Sequence, residues 1–103
     1  MLQIIMRSLR VIIMRISDIT VADVKKALRI DYDHDDSRIE NEIMPAVQSR
    51  LVTLTNRDAA DLDDFPELVT AYMCLCNDYY DGTSEREEAA RAICHGVQLN
   101  MVV

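Results

Sequence analysis

Apolar positions recur along most of this chain at helical spacing. Val21, Val24, Ala27 and Leu28 fall at i, i+3, i+6 and i+7, one face of a helix. Thr20 with Asp23 is an acidic variant of the capping box, so the helix is predicted to start there and end near Arg29. A second stripe joins Ile39, Ile43, Val47, Leu51 and Leu54, with Glu40, Glu42, Gln48 and Arg50 mostly off it. Ser37 and Glu40 make a capping box for this helix, which is predicted from Ser37 or Arg38 to Leu54. Pro45 lies inside the pattern, where it removes one intrahelical bond and predicts a kink or the splitting off of the first two turns.

Residues Thr55 to Asp58 close the second helix, and the acidic ADLDDF that follows has no period, which predicts a loop of roughly ten residues. Asp64 and Glu67 bracket Pro66, a start signal for a third helix running to about Tyr80. This helix is apolar almost all round, through Leu68, Val69, Ala71, Tyr72, Met73, Cys74, Leu75 and Cys76. Such a helix lies at the centre of a bundle or between subunits. Asp81-Gly82 ends it, and Ser84 with Glu87 forms a further capping box ahead of Ala89, Ala90, Ile93, Cys94 and Val97. Gly96 is expected to break or bend the last helix before Leu99 and Met101. The predicted fold is therefore all-α, a small bundle of about four helices with a long, proline-bent second helix.

The first sixteen residues do not share this order. They are apolar, but Arg7, Arg10 and Arg15 interrupt every run, so none reaches the ~18 residues of a membrane span or the unbroken core of a signal peptide. Residues 1–16 read as an upstream extension of a domain that starts near Met14, or as an arm docking on a neighbour. Residues 17–103 form the helical domain.

Composition narrows the function. The 103 residues hold a single Phe and no Trp, enough for one modest core. Eighteen acids against eleven basic residues give a net charge of −7, which repels phosphate backbones and argues against tight DNA binding. Cys74, Cys76 and Cys94 read as buried, reduced thiols; Cys74 and Cys76 would point about 200° apart on a helix, which does not suit zinc. His34, His95, Ser37 and Cys94 have no nucleophile elbow, phosphate loop or ligand cluster around them, so no enzyme activity and no cofactor are expected.

Asp31, Asp33, Asp35 and Glu42 match positions 1, 3, 5 and 12 of a calcium-binding EF-hand loop. Asp36, however, stands where that loop needs glycine, and Arg38 where an aliphatic residue is usual. Asp31, Asp33, Asp35 and Asp36 therefore read as an acidic turn at the positive end of the second helix. A calcium-binding interaction module using Asp31 to Glu42 is the alternative, and a helical regulator a third reading. Tyr72, Tyr79, Tyr80, Val97 and Met101 are candidate subunit or partner contacts, tyrosine being favoured at interfaces, although Tyr79 and Tyr80 suit a core equally.

Several of these pieces occur together in a known order: Ile19-Thr20, then VKKALRIDYDHDDSRIENEIMPAV, then PELVTAYMCLCNDYYD, then HGVQLNM. In this the chain resembles the small head–tail connector (head-completion or adaptor) proteins of tailed bacteriophages and prophages, over roughly residues 17–101. Leu28-Arg29-Ile30-Asp31 with the acids after it carries most of the likeness, helped by Met44-Pro45-Ala46 and Pro66-Glu67-Leu68. The N-terminal extension, Cys74 and Cys76, and the lack of a basic, aromatic tail after Met101 depart from the pattern. The resemblance implies a protomer of a ring beneath the portal protein, which extends the DNA channel and offers a platform to the tail or a stopper protein. It also implies a place in the virion neck after assembly in the bacterial cytoplasm, contact with double-stranded DNA only as it passes through the channel, and no membrane partner.

Overall fold

The computed structural model describes residues 15–100, with Asn100 described in its backbone alone. All regular structure among the described residues is helical. Helix α1 (Val21–Leu28) follows a 3₁₀ turn at Ile16–Asp18; α2 occupies residues 36–55; a second 3₁₀ turn spans Ala59–Asp64; α3 is Leu68–Asp81 and α4 is Glu87–Asn100. Helix α3 is the centre of the bundle: it packs on α4, on both parts of α2 and on α1. Of the two places open to so apolar a helix, it takes the one inside its own protomer. The core consists of Val24 from α1, Ile39, Ile43, Val47 and Leu51 from α2, Leu68, Ala71, Leu75 and Cys76 from α3, and Ala90, Cys94 and Val97 from α4.

The Thr20–Asp23 capping box forms in both directions, with each side chain bonded to the other residue's backbone N–H. The other two boxes do not form. Helix α2 starts one residue before Ser37, whose hydroxyl accepts from Asn41 at 3.2 Å instead of capping. Glu87 turns its carboxylate to Arg50 and Arg91 and away from Ser84. In each case a side-chain or charged partner elsewhere outbids the local backbone donor.

Pro45 is accommodated without splitting α2. The helix widens into a π turn at Ile39–Ile43, in which the N–H of Met44 reaches the carbonyl of Ile39, and Pro45 then falls in the first turn of the α-helical part, Met44–Thr55. A proline ring in an α-helix collides with the carbonyl four residues earlier, and one wider turn moves that carbonyl aside. Gly96 likewise fails to break α4, which continues to Asn100; a Cβ there would meet nothing within 4 Å.

The segment expected to be a loop, ADLDDF, is mostly the 3₁₀ turn, and it inserts the fully buried Leu62 under α2. It also holds the start of the domain. Asp63 accepts from the Ser17 amide at 3.0 Å and from its hydroxyl at 2.8 Å, while Ile16 is buried beside it. Ile16 therefore belongs to the core, one residue earlier than the boundary read from the sequence; residues 1–14 of the proposed arm lie outside the described residues.

The two Ser17 bonds hold the Asp63 carboxyl below its ordinary value. Because the folded value is depressed, this stabilisation is complete above the ordinary value of 3.8 and disappears as pH falls through the lower folded value. In an NMR titration the Ser17 amide shift should therefore move with a midpoint below 3.8. A midpoint at or above the ordinary value would show that the clip is not made.

Candidate functional site

Two polar clusters organise the surface, and each grows from a helix C-terminus of the same design. Helix α1 ends with Arg29 in the left-handed region (φ 60°), and the N–H of Ile30 returns to the carbonyl of Lys25 at 2.8 Å. Helix α3 ends with Gly82 at φ 71°, and the N–H of Thr83 returns to the carbonyl of Asp78 at 2.9 Å. Both are Schellman-type ends, with glycine used at one and arginine at the other. In each, the residue whose carbonyl closes the motif also holds the next segment with its side chain.

At the end of α1 that residue is Lys25. Its ammonium lies 2.6 Å from Asp33 and 2.9 Å from Asp36, with only 14% of its side chain exposed. Asp33 and then Asp36 hold Lys25 above its ordinary value, and Lys25 lowers Asp33 in turn. From the other side, the Tyr80 hydroxyl at the end of α3 donates to Asp35 and lies 2.6 Å from the hydroxyl of Tyr32. Since Tyr80 gives its only proton to Asp35, Tyr32 is the donor to Tyr80. These two contacts, Asp35 first, raise Tyr80 well above the ordinary phenol value. Arg38 lies over the Tyr80 ring, 5.4 Å from its centroid, completing the cluster.

The acidic turn is thus drawn to Tyr80, one of the candidate contacts, but its members do not act as one set. Asp33 and Asp36 face Lys25, Asp35 faces Tyr80, and Asp31 is exposed. Glu42 lies exposed in the π turn, and no group of three or more His, Cys, Asp or Glu among the described residues is gathered for a metal ion. The EF-hand spacing here serves an ion pair, Lys25 with Asp33 and Asp36, and a helix-to-turn clip, Tyr80 with Asp35.

At the end of α3 the organising residue is Asp78, 4% exposed. Its carboxylate accepts from the Thr83 hydroxyl and from the Arg86 amide, each at 3.0 Å, with the Arg86 guanidinium at 3.4 Å. It supplies the cap that Ser84 does not. Nearby, Glu87 bridges Arg50 of α2 at 2.6 Å and Arg91 of α4 at 3.1 Å, which lowers its own value, Arg91 contributing most. Arg50, Asp78, Tyr79, Thr83 and Glu87 line a cleft of about 370 Å³.

The remaining candidate contacts separate by burial. Tyr72 and Val97 are 2% and 1% exposed, inside the protomer's own core, which corrects their assignment as partner contacts. Tyr79 is 44% exposed on α3, and Met101 lies outside the described residues. Cys76 and Cys94 are buried and Cys74 half-buried, all three as free thiols. Burial raises all three, Cys76 to about 12, so they stay protonated near neutral pH.

Sequence reading missed Lys25, Asp78 and the Ser17–Asp63 clip. Lys25 had a signal, as one of two lysines beside a run of aspartates. Asp78 had none, since it stands among Asn77 and Asp81 as one more polar residue at a helix end.

The fold and its polar clusters define a small all-helical protein, in which charged groups brace helices against turns. A family model described as Phage gp6-like head-tail connector protein matches residues 18–91, and the chain belongs to that family. No curated protein and no solved structure matches it. It is a structural component of a bacteriophage, acting between head and tail through contacts with other head and tail proteins. None of the described helices is long and apolar enough to cross a membrane.

Proposed function

We propose that the protein assembles as a ring of identical copies below the portal, lengthens the DNA channel, and presents its far side to a tail-side or stopper protein. The family match over residues 18–91 carries this reading. Closed rings use head-to-tail contacts, so each copy needs two different faces that meet. Tyr79 and Leu99, 44% and 54% exposed, are the large apolar side chains that α3 and α4 leave available for such faces. The net charge of −7 suits a conduit, since acidic walls repel sliding phosphates instead of holding them. Double-stranded DNA then passes without specific binding, and the ring forms in the bacterial cytoplasm as the neck is completed.

Native mass spectrometry and electron microscopy of the protein mixed with its portal test the proposal. The expected result is a ring of many copies seated on the portal. A species that stops at a dimer and leaves the portal bare would overturn it, and would favour the helical-regulator reading.

A further inference from the structure

The segment 31–35 lies between two apolar anchors, Ile30 at 9% exposure and Ile39 at 0%, and has none of its own. Tyr32 within it is 52% exposed. Its C-terminal end is tied by the amides of Asp36 and Ile39, which donate to Asp33 and Asp35, while the Ile30 amide before it closes α1 on Lys25. Everything else that holds it is a side-chain clip: Tyr80 on Tyr32 and Asp35, and Lys25 on Asp33. Segments with few apolar contacts and solvent-exposed polar ties open with less free energy than the core around them.

We propose that residues 31–35 form a strap, clipped by Tyr80 on one side and Lys25 on the other, that opens as a unit while the helical core stays folded. Opening changes the chemistry of the surface beneath. With the strap shut, Asp33 and Asp36 wall a groove of about 460 Å³ over Val21 and Ile30 and neutralise Lys25. With it open, Asp33 swings away and Asp36, held in α2, is the one carboxylate left in the groove against Lys25 and Lys26, so the groove turns net basic. The strap is thus a cover whose position takes the charge of one groove of the protomer from balanced to basic. This is a property of the free protomer and does not depend on ring assembly.

Hydrogen exchange followed by NMR on the full chain tests it through the Asp36 and Ile39 amides, which donate to carbonyls of the strap itself, Asp33 and Asp35. Amides within α3 around Leu75 and Cys76 report the core. Tyr80→Phe removes both Tyr80 bonds, one of them to a carboxylate, and should speed exchange at the two strap amides about tenfold. Tyr32→Phe removes one neutral bond and should speed it about threefold. In both variants the α3 amides should keep their wild-type rates. Raising the salt from 0.05 to about 1 M should add to the effect in wild type by screening the Lys25 clip. Equal acceleration at strap and α3 amides, or no acceleration at the strap in Tyr80→Phe, would overturn the proposal.

Discussion

Replacing Asp78 with alanine is expected to destabilise the protein by about 3 kcal/mol, which for a domain of this size lowers the thermal midpoint by roughly 15 °C. The carboxylate is buried and holds three groups: the Thr83 hydroxyl, the Arg86 amide and the Arg86 guanidinium. Without it the Arg86 amide at the start of α4 has no cap, and the tight turn after Gly82 loses its tie to α3. Helix caps are each worth about 1 kcal/mol, and hydrogen bonds to charged groups about 1.5–3, so the sum is large for one side chain. Asp78→Asn keeps the shape and one acceptor oxygen and should cost about half as much. Thermal and urea unfolding of both variants measure this; a loss below about 1 kcal/mol in Asp78→Ala would show that the carboxylate is dispensable.

Leu51→Ala is expected to cost about 3–4 kcal/mol, from lost burial and the cavity left behind. Leu51 is fully buried on α2, the helix that meets α3, α4 and the 3₁₀ turn carrying Leu62, so neighbours on several elements would have to move to fill the gap. Leu99→Ala removes the same atoms from a side chain that is 54% exposed and should change stability by no more than about 0.5 kcal/mol. The difference between the two leucines, read from urea midpoints at equal m-value, is the measurement. Should Leu51→Ala fail to fold, Val47→Ala removes fewer atoms from the same buried stripe and keeps the comparison open. Equal effects at positions 51 and 99 would contradict the packing described here.

Much of the helical framework could be read from residue spacing. The stripe Ile39, Ile43, Val47 and Leu51 is buried as its period implies, and the Thr20–Asp23 box and the Gly82 stop stand where their chemistry puts them. These are short-range facts: a side chain reaching three residues along its own backbone needs no knowledge of the rest of the fold. The family was legible for a related reason, because it rests on the order of such local pieces along the chain.

The misreadings have one cause. Ser37 and Glu87 each had a local capping geometry open to them, and each took another partner instead: Asn41 one helical turn on, and Arg50 brought up from α2. Pro45 distorts α2 as expected but does not split it, because with a packed apolar stripe on both sides one wider turn is cheaper than a break. The aspartates showed a metal-like spacing, yet that spacing had no bearing on where Lys25 and Tyr80 would stand.

What the chain's pattern alone settled is which residues turn inward and where helices stop, because apolar burial and capping depend on neighbours within a turn or two. Only the tertiary structure decided what the polar residues do. Ser17 meets Asp63 across 46 positions and Tyr80 meets Asp35 across 45, and Asp78 is polar in sequence but sealed inside once α4 folds back on α3. A charged side chain takes its role from the groups that packing places beside it, and that placement is a property of the whole bundle.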